Sequence, residues 1–205
     1  MSASMPQAAQ DNPSILGVVL AGGTSRRFGT DKAQAQLAGR TLLVRAIASL
    51  RRMVPAVVVA GQGRGIADPL PREGVPHGVV IVPDWPRPGM GPLGGIAGAL
   101  LHARKHDYVA ILTIGVDTPG LPDDLPRLLA PGPACFAALP IIGLWPVATL
   151  PAIRTLLQSG GSLAVRAFAD AVDARRVTGG EDFANINTPQ ELARFQNDLP
   201  GGTGD

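Results

Sequence analysis

A chain of 205 residues, 45% of them hydrophobic, is long enough for one packed core and short for two. Eighteen basic against sixteen acidic side chains leave a formal charge of +2, too small a surplus to hold a nucleic-acid backbone by electrostatics. A single cysteine, Cys135, excludes an internal disulfide and any multi-cysteine metal centre, and the expected location is the reducing cytoplasm. No apolar run reaches the roughly 18 residues of a membrane-spanning helix, so no membrane partner is expected. Residues 15–198 are read as one α/β domain, with a polar, disordered tail at 1–14 and a flexible one at 199–205.

The apolar, β-branched run at 15–20 predicts a strand covered on both faces. A glycine-rich segment ends it, and apolar residues at helical spacing over 41–53 predict an amphipathic helix. Similar apolar runs at 57–60 and 79–82 predict two more buried strands. A helix follows over 93–104, weakened by Gly94, Gly95 and Gly98 but open to close approach. A fourth strand at 108–114 ends just before Asp117. Strands alternating with helices imply a parallel sheet with right-handed crossovers. The second half reads as a helix over 123–129, an apolar patch over 135–145, and helices near 152–158 and 163–171. Thr188-Pro189-Gln190-Glu191 places a hydroxyl cap, a first-turn proline and a third-position glutamate before a helix over 189–197.

The strongest chemical signal is Leu20-Ala21-Gly22-Gly23-Thr24-Ser25-Arg26-Arg27-Phe28-Gly29-Thr30-Asp31-Lys32. Glycines after a parallel strand let backbone amides approach an anion, and lysine or arginine adds charge suited to phosphate oxygens. Lys32 lacks the preceding glycine of a P-loop, and the segment has no G-x-G-x-x-G spacing, which disfavours both of those families. A tight connection carrying solvated arginines is the alternative for this loop alone.

Three further motifs follow in order: Gly91-Pro92-Leu93-Gly94-Gly95-Ile96, Asp117-Thr118-Pro119, and Phe183-Ala184-Asn185-Ile186-Asn187-Thr188-Pro189. With them the sequence, over 15–196, resembles the molybdenum cofactor guanylyltransferases. The resemblance implies the nucleotide-diphospho-sugar transferase fold, a Rossmann-like three-layer α/β/α sandwich with a mostly parallel sheet. It implies Mg²⁺-dependent transfer of GMP from GTP to the terminal phosphate of molybdenum-molybdopterin, with release of pyrophosphate. Proteins that deliver or receive the cofactor are implied partners. By the same resemblance Arg27, Lys32 and Asp117 are catalytic and Asp117 is the metal ligand. Nucleotide and metal lie among Leu20, Ala21, Gly22, Gly23, Ser25, Lys32, Asp84, Gly91, Pro92, Leu93, Gly94 and Asp117, while Asn185 and Asn187 contact the pterin.

Each assignment has a plainer counterpart. Asp84, between two prolines, reads equally as an exposed turn residue, and the two asparagines as turn and cap residues. Either Arg26 or Arg27 is a solvated charge, because neighbours seldom face one ligand. His77, His102 and His106 read as surface residues, Cys135 as core, and Trp85 and Trp145 as packing. Ala60-Gly61 stands where related sequences carry a nucleotide-contacting asparagine, and 139–145 lacks the family's histidine. The guanine nucleotide is therefore better supported than the pterin acceptor. A transferase using CTP or another phosphate acceptor, and a catalytically silent nucleotide-binding module, are the alternatives.

Overall fold

Strand β1 (Ile15–Leu20) forms from the first apolar run, is buried under helices on both faces, and has parallel neighbours along both its edges. These are β4 (Ala56–Ala60) and β6 (Ala110–Gly115), with Leu20 opposite Ala60 on one side and Gly115 on the other. The computed structural model describes residues 14–21, 32–61, 78–160 and 162–197. Among them the main sheet has the order β5-β4-β1-β6-β8-β7-β9, where β5 is Val80–Val82, β7 Ala134–Phe136, β8 Gly143–Pro146 and β9 Arg175–Val177. Ser14, at the end of the expected tail, already extends the sheet by accepting the Val109 amide at 3.1 Å.

Helices cover both faces. Helix α1 (Leu42–Met53) packs on one face with α3 (Leu125–Leu129) and α6 (Pro189–Asn197). Helix α2 (Gly91–Lys105) packs on the other with α4 (Leu150–Gln158) and α5 (Val165–Ala171). This is the expected three-layer α/β/α sandwich. No helix among the described residues is long and apolar enough to cross a membrane.

Several boundaries move for identifiable reasons. The helix expected over 41–53 starts at Leu42, because Thr41 is its cap and its Oγ1 accepts the Val44 amide at 3.2 Å. The helix expected over 93–104 starts at Gly91, since Pro92 fits a first turn whose amide has no helical partner anyway. The strand expected over 108–114 starts at Ala110, the Tyr108 amide being held by the Ala103 carbonyl where the chain turns out of α2.

The apolar patch at 135–145 is two strands, and β8 runs antiparallel to both β6 and β7. A buried polar relay fixes it. Trp145 Nε1 donates to Thr113 Oγ1 at 3.0 Å, and that hydroxyl donates to the Ile141 carbonyl at 2.7 Å. Trp145 is therefore a packing residue, with Phe168 against its ring. Strand β9 and the small hairpin of β2 (Gln36–Leu37) and β3 (Arg40–Thr41) were not anticipated, because neither presents an apolar run.

The order of strands positions the site. From β1 the chain moves outward through α1 to β4 and β5, then returns across the sheet to β6 on the other side of β1. Open α/β sheets bind ligands at the carboxyl ends of strands where the winding reverses. Ala21 leaves β1, and Asp117 follows β6 by two residues, at that edge.

Candidate active site

Lys32 opens a short 3-10 turn (Lys32–Gln34) that leads into the hairpin, with Ala33 buried beneath it. Its ammonium Nζ lies 3.0 Å from Asp117 Oδ2 and 3.0 Å from Asn187 Oδ1. Residues separated by 85 and 155 positions thus meet at one cation. The Lys32 and Asp117 side chains are only 13% and 24% exposed, so this pair is better shielded from water and salt than a surface ion pair.

The Asp117 turn is held from both sides. Thr118 Oγ1 donates back to the Gly115 carbonyl at 3.3 Å, and the Asp117 carbonyl accepts the Ile186 amide at 2.8 Å. The carboxylate folds over Gly115 so closely that a Cβ there would sit 2.3 Å from Oδ1. Buried Ile186 anchors the third motif to the core, and the Asn187 side-chain amide donates to the Asn185 carbonyl at 3.2 Å. The Asn185 side chain itself is exposed.

A second cluster gathers at the start of α2. Asp84 is buried, only 9% exposed, so its reading as an exposed turn residue is corrected. Its Oδ2 accepts the Gly89 amide at 3.1 Å, while Oδ1 is buried with no hydrogen-bond partner. Burial pushes the carboxyl above its usual range, and the amides of Gly89 and Met90 draw it partly back. Gly94 abuts this residue, a Cβ on it falling 3.2 Å from Asp84 Cβ. Gly91 turns the chain into α2 at φ +63°, a left-handed conformation that favours glycine.

The remaining expected residues divide by what they can offer. The Leu20 and Leu93 side chains are core, and the amides of Ala21 and Gly94 are engaged by the Ala60 and Met90 carbonyls at 2.9 and 3.3 Å. Of the Ala21 backbone groups expected to cradle a nucleotide, the amide is thus held within the sheet. Gly22, Gly23, Ser25 and both arginines of the loop, Arg26 and Arg27, lie outside the described residues, as does His77.

The groups set aside on sequence lie elsewhere. His102 and His106 stack on each other at the end of α2, and burial holds the His102 imidazole below its usual range. Cys135 is buried, its thiol pushed up by burial with Arg176 beside it. Trp85 is half-buried under the Arg154 guanidinium. A cleft of about 240 Å³ between α1 and Thr118–Gly120 carries Arg40, Arg45 and Arg52. Arg45 serves the Leu37 and Ala38 carbonyls and Arg52 pairs with Asp123, so much of its charge is answered within the chain.

Together, these elements gather a lysine–carboxylate–amide cluster at a strand edge and a buried carboxylate beside a glycine-rich helix start. Comparison with known proteins gives this arrangement a lineage. The sequence model of the MobA-like NTP transferase domain matches residues 17–174. The chain belongs to that family. This MobA-like protein is a nucleotidyltransferase.

Among its relatives is the molybdenum cofactor guanylyltransferase of Rhodobacter capsulatus, 37% identical over 191 residues and covering 90% of this chain and 96% of that one. The enzyme of the same name from Acidiphilium cryptum is 34% identical, over 85% and 90% of the two chains. Solved structures share the fold. The molybdopterin-guanine dinucleotide biosynthesis protein A of Archaeoglobus fulgidus aligns with a TM-score of 0.69 at 19% identity, over 89% of this chain and 97% of that one. The 2-C-methyl-D-erythritol 4-phosphate cytidylyltransferase of Thermus thermophilus aligns at 0.59 and 17%, over 88% and 96%.

One contact of the Lys32–Asp117–Asn187 cluster is not written in the sequence. The sequence marks Glu191 only as part of a helix start, yet its Oε2 accepts the Asn187 amide at 2.6 Å. The capping signature was the signal available, but it says nothing of what lies before the cap.

Proposed function

We propose that this MobA-like protein transfers GMP from GTP to the terminal phosphate of molybdenum-molybdopterin, in the cytoplasm and with Mg²⁺. The observation that carries the reading is the convergence of Lys32, Asp117 and Asn187, taken with relatives of that named activity at 34–37% identity over most of the chain. Asp117 Oδ2 and Asn187 Oδ1 already face one cationic group. Two hard oxygen donors, only one of them charged, suit Mg²⁺, which keeps waters and phosphate oxygens in its other positions. When bound there, the ion would neutralise charge on the triphosphate.

In the reaction a phosphate oxygen of the acceptor forms a bond to the α-phosphorus of GTP, and the bond from that phosphorus to the bridging oxygen breaks, releasing pyrophosphate. The attacking phosphate is already ionised, so no side chain need remove a proton. The difficulty is anion meeting anion, and it is met by positive charge and alignment. Lys32 supplies a compact charge at the carboxyl edge of β1, and Arg27 is proposed as a second. Asp84 Oδ1, buried and unpartnered, is the acceptor we assign to donor groups of the nucleoside. The turn Gly91–Gly94 borders it, and Asn185 and Asn187 face the pterin side. A labile product calls for proteins that deliver and receive it.

The test is pyrophosphate release from GTP, Mg²⁺ and molybdenum-molybdopterin, repeated with CTP in place of GTP. Release with GTP and little with CTP is expected. Release with CTP alone would overturn the guanine assignment, and GTP binding without release would leave a silent binding module.

Asp84 yields a separate expectation. In Asp84→Asn an amide replaces a buried charge while an oxygen remains for the Gly89 amide. The ligand-free protein should gain stability at neutral pH, because a neutral amide costs less to bury than an ionised carboxylate even though its NH2 is left without a partner. The raised carboxyl of Asp84 subtracts stability above its folded pKa and none below the ordinary aspartate range. Thermal melts should therefore separate variant from wild type at pH 7 and converge on acidification, while calorimetry shows weaker GTP binding to the variant. A variant that melts earlier at pH 7 and binds GTP as wild type does would remove this role.

A further inference from the structure

Helix α6 begins with a reciprocal cap. Thr188 Oγ1 accepts the Glu191 amide at 3.1 Å, and Glu191 Oε2 accepts the Thr188 amide at 2.9 Å. A capping box needs no more than this exchange. The same carboxylate oxygen nevertheless accepts a second amide, that of Asn187, at the shorter distance of 2.6 Å. Asn187 is the residue whose side-chain oxygen reaches the Lys32 ammonium beside Asp117. Its neighbour Ile186 donates to the Asp117 carbonyl, so successive backbone amides of the third motif tie it to the metal turn on one side and to α6 on the other.

We propose that Glu191 is a positioning residue for nucleotidyl transfer: its carboxylate clamps the Asn187 backbone, which keeps the Asn187 side-chain oxygen beside Asp117 and Lys32. The inference rests on the nucleotidyl-transfer reading above. Glu191 touches neither substrate nor cation; it acts through Asn187. Partners that orient a metal-facing group in this way are commonly worth about 10–100-fold in metal affinity or activity. Helix α6 has no fully buried residue, only Leu192 and Phe195 half-buried against the core, so its cap and the third motif help to define where the helix begins.

A plain helix-capping role must be told apart from positioning, and two variants do so. Glu191→Ala removes both contacts of the carboxylate, whereas Thr188→Ala breaks the other half of the cap and leaves the Asn187 contact in place. Glu191→Gln keeps an acceptor oxygen. The readouts are Mn²⁺ affinity in the presence of GTP by electron paramagnetic resonance, kcat and KM for GTP, and thermal midpoint.

Glu191→Ala should weaken Mn²⁺ binding and lower kcat, each about tenfold, with KM for GTP little changed. Glu191→Gln should restore both. Thr188→Ala should lower the midpoint yet keep wild-type Mn²⁺ affinity and kcat. If Thr188→Ala loses as much as Glu191→Ala, or if Glu191→Ala binds Mn²⁺ as wild type does, Glu191 only caps a helix and the proposal is overturned. A wild-type chain that binds no Mn²⁺ with GTP would instead bring down the nucleotidyl-transfer reading, and this inference with it.

Discussion

Asp117→Asn should lower the rate of nucleotidyl transfer by about 10²–10³-fold, the range seen when one preorganised electrostatic group is removed from an active site. The substitution keeps an oxygen for the Lys32 ammonium and so disturbs the fold little, but it removes the carboxylate charge that faces that ammonium. The loss should therefore appear in kcat and in the concentration of Mg²⁺ needed for half-maximal rate, with an unchanged circular dichroism spectrum. Pyrophosphate release over a Mg²⁺ titration measures both. Turnover equal to wild type would show that the divalent ion is held elsewhere and would leave the Lys32–Asp117 pair a structural contact.

Gly98→Ala should be the most damaging small substitution in α2. In an exposed helix the change would stabilise by about 1 kcal/mol, because glycine is the poorer helix former. Here the added Cβ would stand 2.1 Å from the Pro83 carbonyl oxygen and 3.2 Å from its carbon. That neighbour is backbone and cannot rotate away. Overpacking of this kind costs about 1–3 kcal/mol and occasionally more, so it outweighs the propensity gain. Pro83 immediately precedes Asp84, and the strain should also shift that carboxylate and weaken GTP binding. Urea unfolding and calorimetric titration report the two effects. A midpoint at or above wild type would mean that α2 does not press on this loop.

The glycines of α2 illustrate how a sequence signal can be legible and still incomplete. Gly94, Gly95 and Gly98 stand out in the sequence as a weakened helix that permits close approach. What they approach is set by the tertiary packing: Asp84 for Gly94, Leu20 for Gly95 and Pro83 for Gly98. The same holds for Asp84. A position between two prolines reads as exposed, and the residue is buried because the loop folds back onto the start of α2.

The buried parallel strands were legible because covering both faces of a strand demands unbroken apolar, β-branched runs, which β1, β4 and β6 supply. Helix α6 was legible because capping is local chemistry within four residues. The antiparallel course of β8 was not, since an apolar strand looks alike in either direction and the Thr113–Trp145 contact that fixes it spans 32 positions. Strand β9, with two arginines in three residues, lacks the pattern that burial imprints.

From the amino-acid order alone came the α/β architecture, the family resemblance and the identity of Lys32, Asp117 and Asn187 as candidates, because short-range periodicity and motif spacing are written along the chain. Only folding decided that these three share one cluster and that Ala21 gives its amide to the sheet. Those facts depend on strand order and on contacts between residues as far as 155 positions apart, distances over which no local propensity acts.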